Sequence, residues 1–198
     1  MTTFLLIRHA DTDWVGKKLA GHLPGVSLSV TGREQAESLV RRLGNYRIDA
    51  IYSSPLQRTQ ETAEPLSQSR HLAVRIGLRL IEVDFGDWTG QTLADLEHDP
   101  LWNRFNKLRS ITRPPGGELM LEVQARMIDE LEDLRHAHPD QTVAIFSHQD
   151  TIKAAIAHCL GVPLEYFFRF QVDPASISVL EMTDWGPQVV SLNNNGTL

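Results

Sequence analysis

The chain has 198 residues, a formal net charge of −6, 41% hydrophobic residues and one cysteine, Cys159. One domain of this length buries most of its apolar surface without staples, and a lone cysteine forms no internal disulfide. The acidic balance, with no Lys/Arg run, excludes a nonspecific nucleic-acid binder, and no apolar run reaches membrane-spanning length. The N-terminus carries no secretory pattern, so a cytoplasmic protein without membrane contact is expected. The Asn195-Gly196-Thr197 sequon is then read as chance.

Phe4-Leu5-Leu6-Ile7 predicts a buried strand that opens at once onto Arg8-His9. Ligands of α/β proteins bind where strands end at their carboxyl edge. A glycine-rich loop follows to Thr31. Thr31 and Glu34 then have capping-box spacing, and Ala36, Leu39, Val40 and Leu43 recur at helical spacing before Gly44. A strand over 50–53 runs into Ser54-Pro55. Pro55 suits a first helical position, which puts Arg58 in the first turn of the next helix. Val74-Arg75-Ile76 suggests a short strand.

Residues 84–117 are irregular, rich in aromatics, and end in Pro114-Pro115-Gly116-Gly117. They read as a helical excursion covering the site. Residues 118–136 have one apolar helical face, from Leu119 to Leu134. A strand from Thr142 ends at Ser147-His148, a helix over 150–160 follows, and strands near 175–180 and 188–192 complete the chain. Strands alternating with helices imply a mostly parallel sheet covered on both faces, within a single domain over 1–198. Three strand ends thus deliver Arg8, His9, Arg58 and His148, the residue types that would hold a phosphate. His136 and His138 are read as a solvated helix end rather than metal ligands.

Five segments, in order, carry a resemblance: Leu6-Ile7-Arg8-His9-Ala10-Asp11-Thr12, Tyr52 to Thr62, Leu80 to Gly90, Pro115-Gly116-Gly117-Glu118 and Ser147-His148. Together they resemble the histidine phosphatase superfamily. The resemblance implies a phosphoglycerate mutase-like, three-layer α/β/α sandwich. It also implies a metal-independent phosphatase with no cofactor, acting on a small phosphorylated metabolite through a phosphohistidine on His9.

Each residue type suits that chemistry. A neutral imidazole attacks a phosphate dianion without adding charge, and guanidinium forks match phosphate oxygens. Arg8, Arg58 and His148 would bind the phosphate, and Glu82 would donate and then accept a proton. Glu82 is favoured over Asp84 because its spacing before Phe85-Gly86 is the matching one. Thr12, Gly21, His22 and Gln149 are candidate substrate contacts. The sequence departs from the common motif at Ala10, Val15 and Gln149, which leaves substrate identity open. The near alternative is a 2,3-bisphosphoglycerate-dependent mutase, with Arg104, Lys107, Arg109 or Arg113 holding a second anion. A noncatalytic phosphate-binding module is the alternative of another class. Oligomeric state is not legible.

Overall fold

A computed structural model describes residues 1–196; Thr197 of the sequon, and Leu198, lie outside the described residues. Six strands form one sheet: β1 (Thr2–Arg8), β2 (Ala50–Ser53), β3 (Val74–Ile76), β4 (Thr142–Ser147), β5 (Ile177–Thr183) and β6 (Gly186–Asn194). Their spatial order is β3-β2-β4-β1-β5-β6. The first four run parallel, whereas β5 and β6 are antiparallel to their neighbours.

β1 lies between β4 and β5, so both of its edges are paired, and helices cover both of its faces, which suits an unbroken apolar run. Leu5 and Ile7 pack with Ala36 and Leu39 of α1 (Val30–Arg42) and with Ala63 and Leu66 of α2 (Gln57–Arg70). Phe4 and Leu6 point the other way. They pack with Met127 and Leu131 of α5 (Met120–Ala137) and Ile152 of α6 (Gln149–Cys159). Two helical layers therefore sandwich the sheet.

Residues 84–117 contain a short 3-10 turn (Gly86–Trp88), α3 (Leu93–Leu96) and α4 (Pro100–Lys107). Phe85, Trp88, Leu96 and Phe105 form an apolar cluster with Met120, Val123, Ala154 and Phe167. This cluster ties the excursion to α5 and α6, beside the carboxyl end of the sheet.

Several boundaries differ from the sequence expectation, each for a local reason. Ser29, not Thr31, caps α1: its hydroxyl accepts from Gly32 N at 3.0 Å and donates to Asp11 Oδ2 at 2.7 Å. The tertiary contact with Asp11 moves the start upstream of the Thr31/Glu34 pair. Pro55 precedes α2, which begins at Gln57, because Ser54 Oγ accepts Leu56 N at 3.3 Å and holds that turn outside the helix. Pro65 lies within α2. α5 begins at Met120 rather than Glu118, whose carboxylate binds Arg126 at 2.7 Å. His138 is buried, between Tyr52 Oη at 3.0 Å and Gln141 Oε1 at 2.6 Å, rather than solvated. Among the described residues no cluster of three or more His, Cys, Asp or Glu side chains could hold a metal ion, and no helix is long and apolar enough to cross a membrane.

Candidate active site

Parallel pairing puts Arg8 opposite Ser147, and His9 N donates to Ser147 O at 2.9 Å. This register sets His9 and His148 side by side, with ring centroids 5.3 Å apart. β2 ends on the other side of β4, where Ser54 N donates to Phe146 O at 2.9 Å. Arg58 then enters from the first turn of α2 and is almost wholly buried, 2% exposed. The sheet edge therefore gathers groups 140 positions apart in sequence numbering, from Arg8 to His148.

Hydrogen bonds assign the ring protons. His9 Nδ1 lies 2.8 Å from Ala10 O, an acceptor only, so Nδ1 carries the proton and Nε2 keeps a free lone pair. His148 Nε2 lies 2.8 Å from Ser54 Oγ. The other hydrogen bond of that oxygen is with a donor, Leu56 N, so among the described residues Nε2 is the acceptor left for its proton, which makes His148 Nδ1 the N–H donor. Both rings are held well below the ordinary histidine pKa. Burial is the main cause for each, followed by the Arg58 charge. Arg8 adds to the effect on His9.

Ala10 sits at the position where the common motif has glycine. Its backbone is not among the non-glycine residues with positive φ, and its N donates to Thr62 Oγ1 at 2.9 Å. The added methyl is buried in the core with Leu5 and Ile7, so the departure from glycine imposes no backbone strain.

The arginines are only partly engaged. Arg8 Nη1 donates to Val172 O at 2.7 Å, and Arg58 Nη2 donates to Gly21 O at 2.9 Å. Arg8 Nε, Arg58 Nε, Arg58 Nη1 and His148 Nδ1 are buried without a hydrogen-bond partner among the described residues. Buried donors left unmet cost free energy, so such a concentration of them calls for a ligand. Donors on two guanidinium groups and an imidazole, beside a free imidazole lone pair, suit a tetrahedral oxyanion. Burial and the neighbouring Arg8 lower the Arg58 pKa to about 10, which leaves it charged at neutral pH.

A cavity of about 480 Å³ opens onto these groups. Its lining includes Arg8, His9, Arg58 and Glu82, Thr12, Trp14, Val15 and Gly21, and Gln149, Asp150 and Phe168. From the 84–117 excursion come Phe85, Leu93, Glu97, Trp102, Asn106 and Arg109. Glu82 Oε1 accepts from Val83 N at 3.0 Å and lies 3.3 Å from Thr151 Oγ1. Burial raises its pKa to about 7, aided by the Asp150 charge and opposed by the Val83 N–H, Arg58 and Arg8. Asp84 instead accepts from Gly86 N at 2.9 Å and does not line the cavity.

The sequence candidates fare differently. Thr12, Gly21 and Gln149 line the cavity, whereas His22 does not. His22 Nε2 lies 2.6 Å from Glu82 O, so the ring buttresses the main chain of Glu82 instead of facing substrate. His148 lies behind the lining, fully buried against His9. Sequence reasoning missed Ser54, Arg126, Asp150 and Glu97. Arg126 grips the carbonyls of Arg79, Ile81 and Glu82, the last at 2.9 Å. Only the position of Asp150, two residues past His148 in a helix's first turn, offered a signal.

The chain belongs to the histidine phosphatase superfamily (branch 1), whose family model matches residues 4–195. It is 33% identical over 195 residues to phosphoserine phosphatase 1 of Hydrogenobacter thermophilus, covering 98% of this chain and 92% of that one. It is 30% identical over 183 residues to the adenosylcobalamin/alpha-ribazole phosphatase of Escherichia coli, covering 89% and 88%. Among solved structures, a mutant phosphoserine phosphatase from Entamoeba histolytica in complex with phosphoserine superposes with a TM-score of 0.89 at 25% identity, covering 100% of each chain.

Proposed function

We propose that this protein is a metal-independent phosphatase that hydrolyses a small phosphomonoester through a phosphohistidine on His9. The observation that carries the reading is the unbonded His9 Nε2 beside buried N–H donors of Arg8, Arg58 and His148. The phosphoryl group binds these donors. The Nε2 lone pair forms the N–P bond as the ester P–O bond breaks, and Glu82 gives its proton to the departing oxygen. Water then attacks phosphorus, Glu82 takes the water's proton, and the N–P bond breaks to release inorganic phosphate. Fixed donors stabilise the charge that develops on the transferring group, which is where such catalysis gains most.

Phosphatase is favoured over mutase on one observation. Of Arg104, Lys107, Arg109 and Arg113, Arg109 alone lines the cavity, and its guanidinium already binds Asp150 and Asn106. None of these four cations is therefore free in the cavity to hold a second anion, which disfavours return of the intermediate to a product hydroxyl. The presence of both His9 and Glu82 speaks against a noncatalytic module. The proposal includes a cytoplasmic setting, where small phosphorylated metabolites are made.

The test is turnover of 4-nitrophenyl phosphate in excess chelator, with acid-labile phosphoprotein trapped during turnover. His9→Ala is expected to abolish both signals; retained turnover in that variant ends the phosphohistidine mechanism. A panel containing phosphoserine, alpha-ribazole phosphate and 3-phosphoglycerate, ranked by kcat/KM, identifies the leaving group.

A further inference from the structure

Asp150 lines the cavity but takes no part in phosphate binding or in the proton transfer just described. It is buried in the first turn of α6. Its Oδ2 accepts from Arg109 Nη1 at 3.0 Å. Arg109 is itself held on several sides. Its Nη2 donates to Asn106 Oδ1 at 2.9 Å, and its Cζ lies 4.6, 4.3 and 4.8 Å from the ring centroids of Phe105, Phe167 and Phe168. The adjacent residue, Thr151, donates its hydroxyl proton to Ile81 O at 2.8 Å, and the same oxygen lies 3.3 Å from Glu82 Oε1. One turn of α6 therefore touches the Glu82 carboxyl and, next to that contact, presents a paired carboxylate to the same cavity.

We propose that Asp150 is a positioning residue whose fixed negative charge keeps the proton on Glu82 until the leaving oxygen takes it. This rests on Glu82 being the acid. Two carboxyl groups sharing one cavity do not both ionise readily. Asp150 is paired with the Arg109 guanidinium and sits at the amino end of a helix, both of which favour a carboxylate. Glu82 has neither, and it holds the proton.

The other charged groups around Glu82 are Arg8 from β1 and Arg58 from α2, which favour its ionised form. Arg126 of α5 and His22 of the N-terminal loop bind its main-chain carbonyl, not its carboxyl. Behind Asp150 on α6, Lys153 Nζ sits 4.6 Å from the Phe167 ring centroid, without a hydrogen-bond partner among the described residues. Asp150 thus offsets the arginines that the phosphate requires. Without it, burial alone opposes the arginines, and Glu82 gives up its proton at a lower pH.

The experiment is a 13C NMR titration of the Glu82 carboxyl, assigned with Glu82→Gln, in the wild-type protein, Asp150→Asn and Arg109→Gln. Asp150→Asn is expected to lower the Glu82 midpoint by about one pH unit. Glycerol 2-phosphate turnover at pH 8 then falls about tenfold in kcat/KM. Arg109→Gln leaves the Asp150 charge unneutralised and is expected to raise the midpoint. Asp150→Glu, which keeps the charge, is expected to restore it. Opposite shifts support the proposal, whereas an unmoved midpoint, or two shifts of one sign, overturns it. If Asp150→Asn does not fold, the sign in Arg109→Gln decides. Glu82→Gln is assayed separately on glycerol 2-phosphate and 4-nitrophenyl phosphate. Equal slowing of both esters removes Glu82 as the acid, independently of the NMR result.

Discussion

Arg58→Met is expected to make the ligand-free protein more stable while nearly silencing it. Arg58 is 2% exposed, lies beside another cation, and makes one side-chain hydrogen bond, to Gly21 O at 2.9 Å. Its Nε and Nη1 are buried without a hydrogen-bond partner among the described residues. Each of the two unmet donors costs roughly 1–3 kcal/mol, and the variant in exchange leaves one buried group unmet, the Gly21 carbonyl, at about the cost of one donor. Methionine fills the space flexibly and carries no charge to desolvate. The balance is a gain of about 1–3 kcal/mol, at roughly 2–4 °C of melting temperature per kcal/mol for a chain of this size. Activity moves the other way. Removing one donor aimed at developing charge costs about 10²–10³-fold. Melting curves with and without inorganic phosphate, beside kcat/KM on 4-nitrophenyl phosphate, read both effects. Phosphate should raise the wild-type midpoint and leave the variant's nearly unmoved. A variant that melts well below wild type in phosphate-free buffer, or that keeps more than a tenth of the activity, refutes the reasoning.

Stability should also depend on pH through the site. His9 and His148 have folded pKa values well below 6.5, so each favours folding above pH 6.5 and loses that contribution as pH falls below it. Glu82 opposes them, because its folded pKa of about 7 exceeds its ordinary 4.5 and the native state holds its proton between those values. Below pH 6.5 the two histidines therefore make stability fall with falling pH, and between about pH 5 and 6 Glu82 offsets one proton's worth of that dependence, about 1.4 kcal/mol per pH unit. Glu82→Gln removes the opposing group, and urea titrations should show the slope rise by a further 1.4 or so; an unchanged slope would mean Glu82 is ionised in the native protein. Gly32→Ala tests the packing behind His9. A Cβ there would lie 2.0 Å from Asp11 O, so α1 must shift from the loop after His9. A loss of about 1–3 kcal/mol is expected in denaturant melts, with a fall in activity; wild-type stability would show that this contact is not rigid.

Much was legible because local chemistry and tertiary placement agree. The apolar run Phe4 to Ile7 ends at a cation and an imidazole, and only a doubly covered strand uses such a run. Ser147-His148 and Arg58 follow the same logic at neighbouring strand ends. Motif order then linked them. The helix starts were less legible, since Ser29 and Ser54 are drawn into contacts with Asp11 and His148 that local spacing does not encode.

What the sequence determined by itself was the inventory: strands that must be buried on both faces, and an arginine or histidine at the carboxyl end of three of them. Hydrophobic period and turn chemistry are local, so they survive without coordinates. Tertiary structure alone decided which charges remain unmet, which histidine nitrogen keeps its lone pair, and why His22 supports the backbone while Asp150 faces the cavity. Those properties depend on burial and on atoms tens of residues apart, and only the folded chain brings them together.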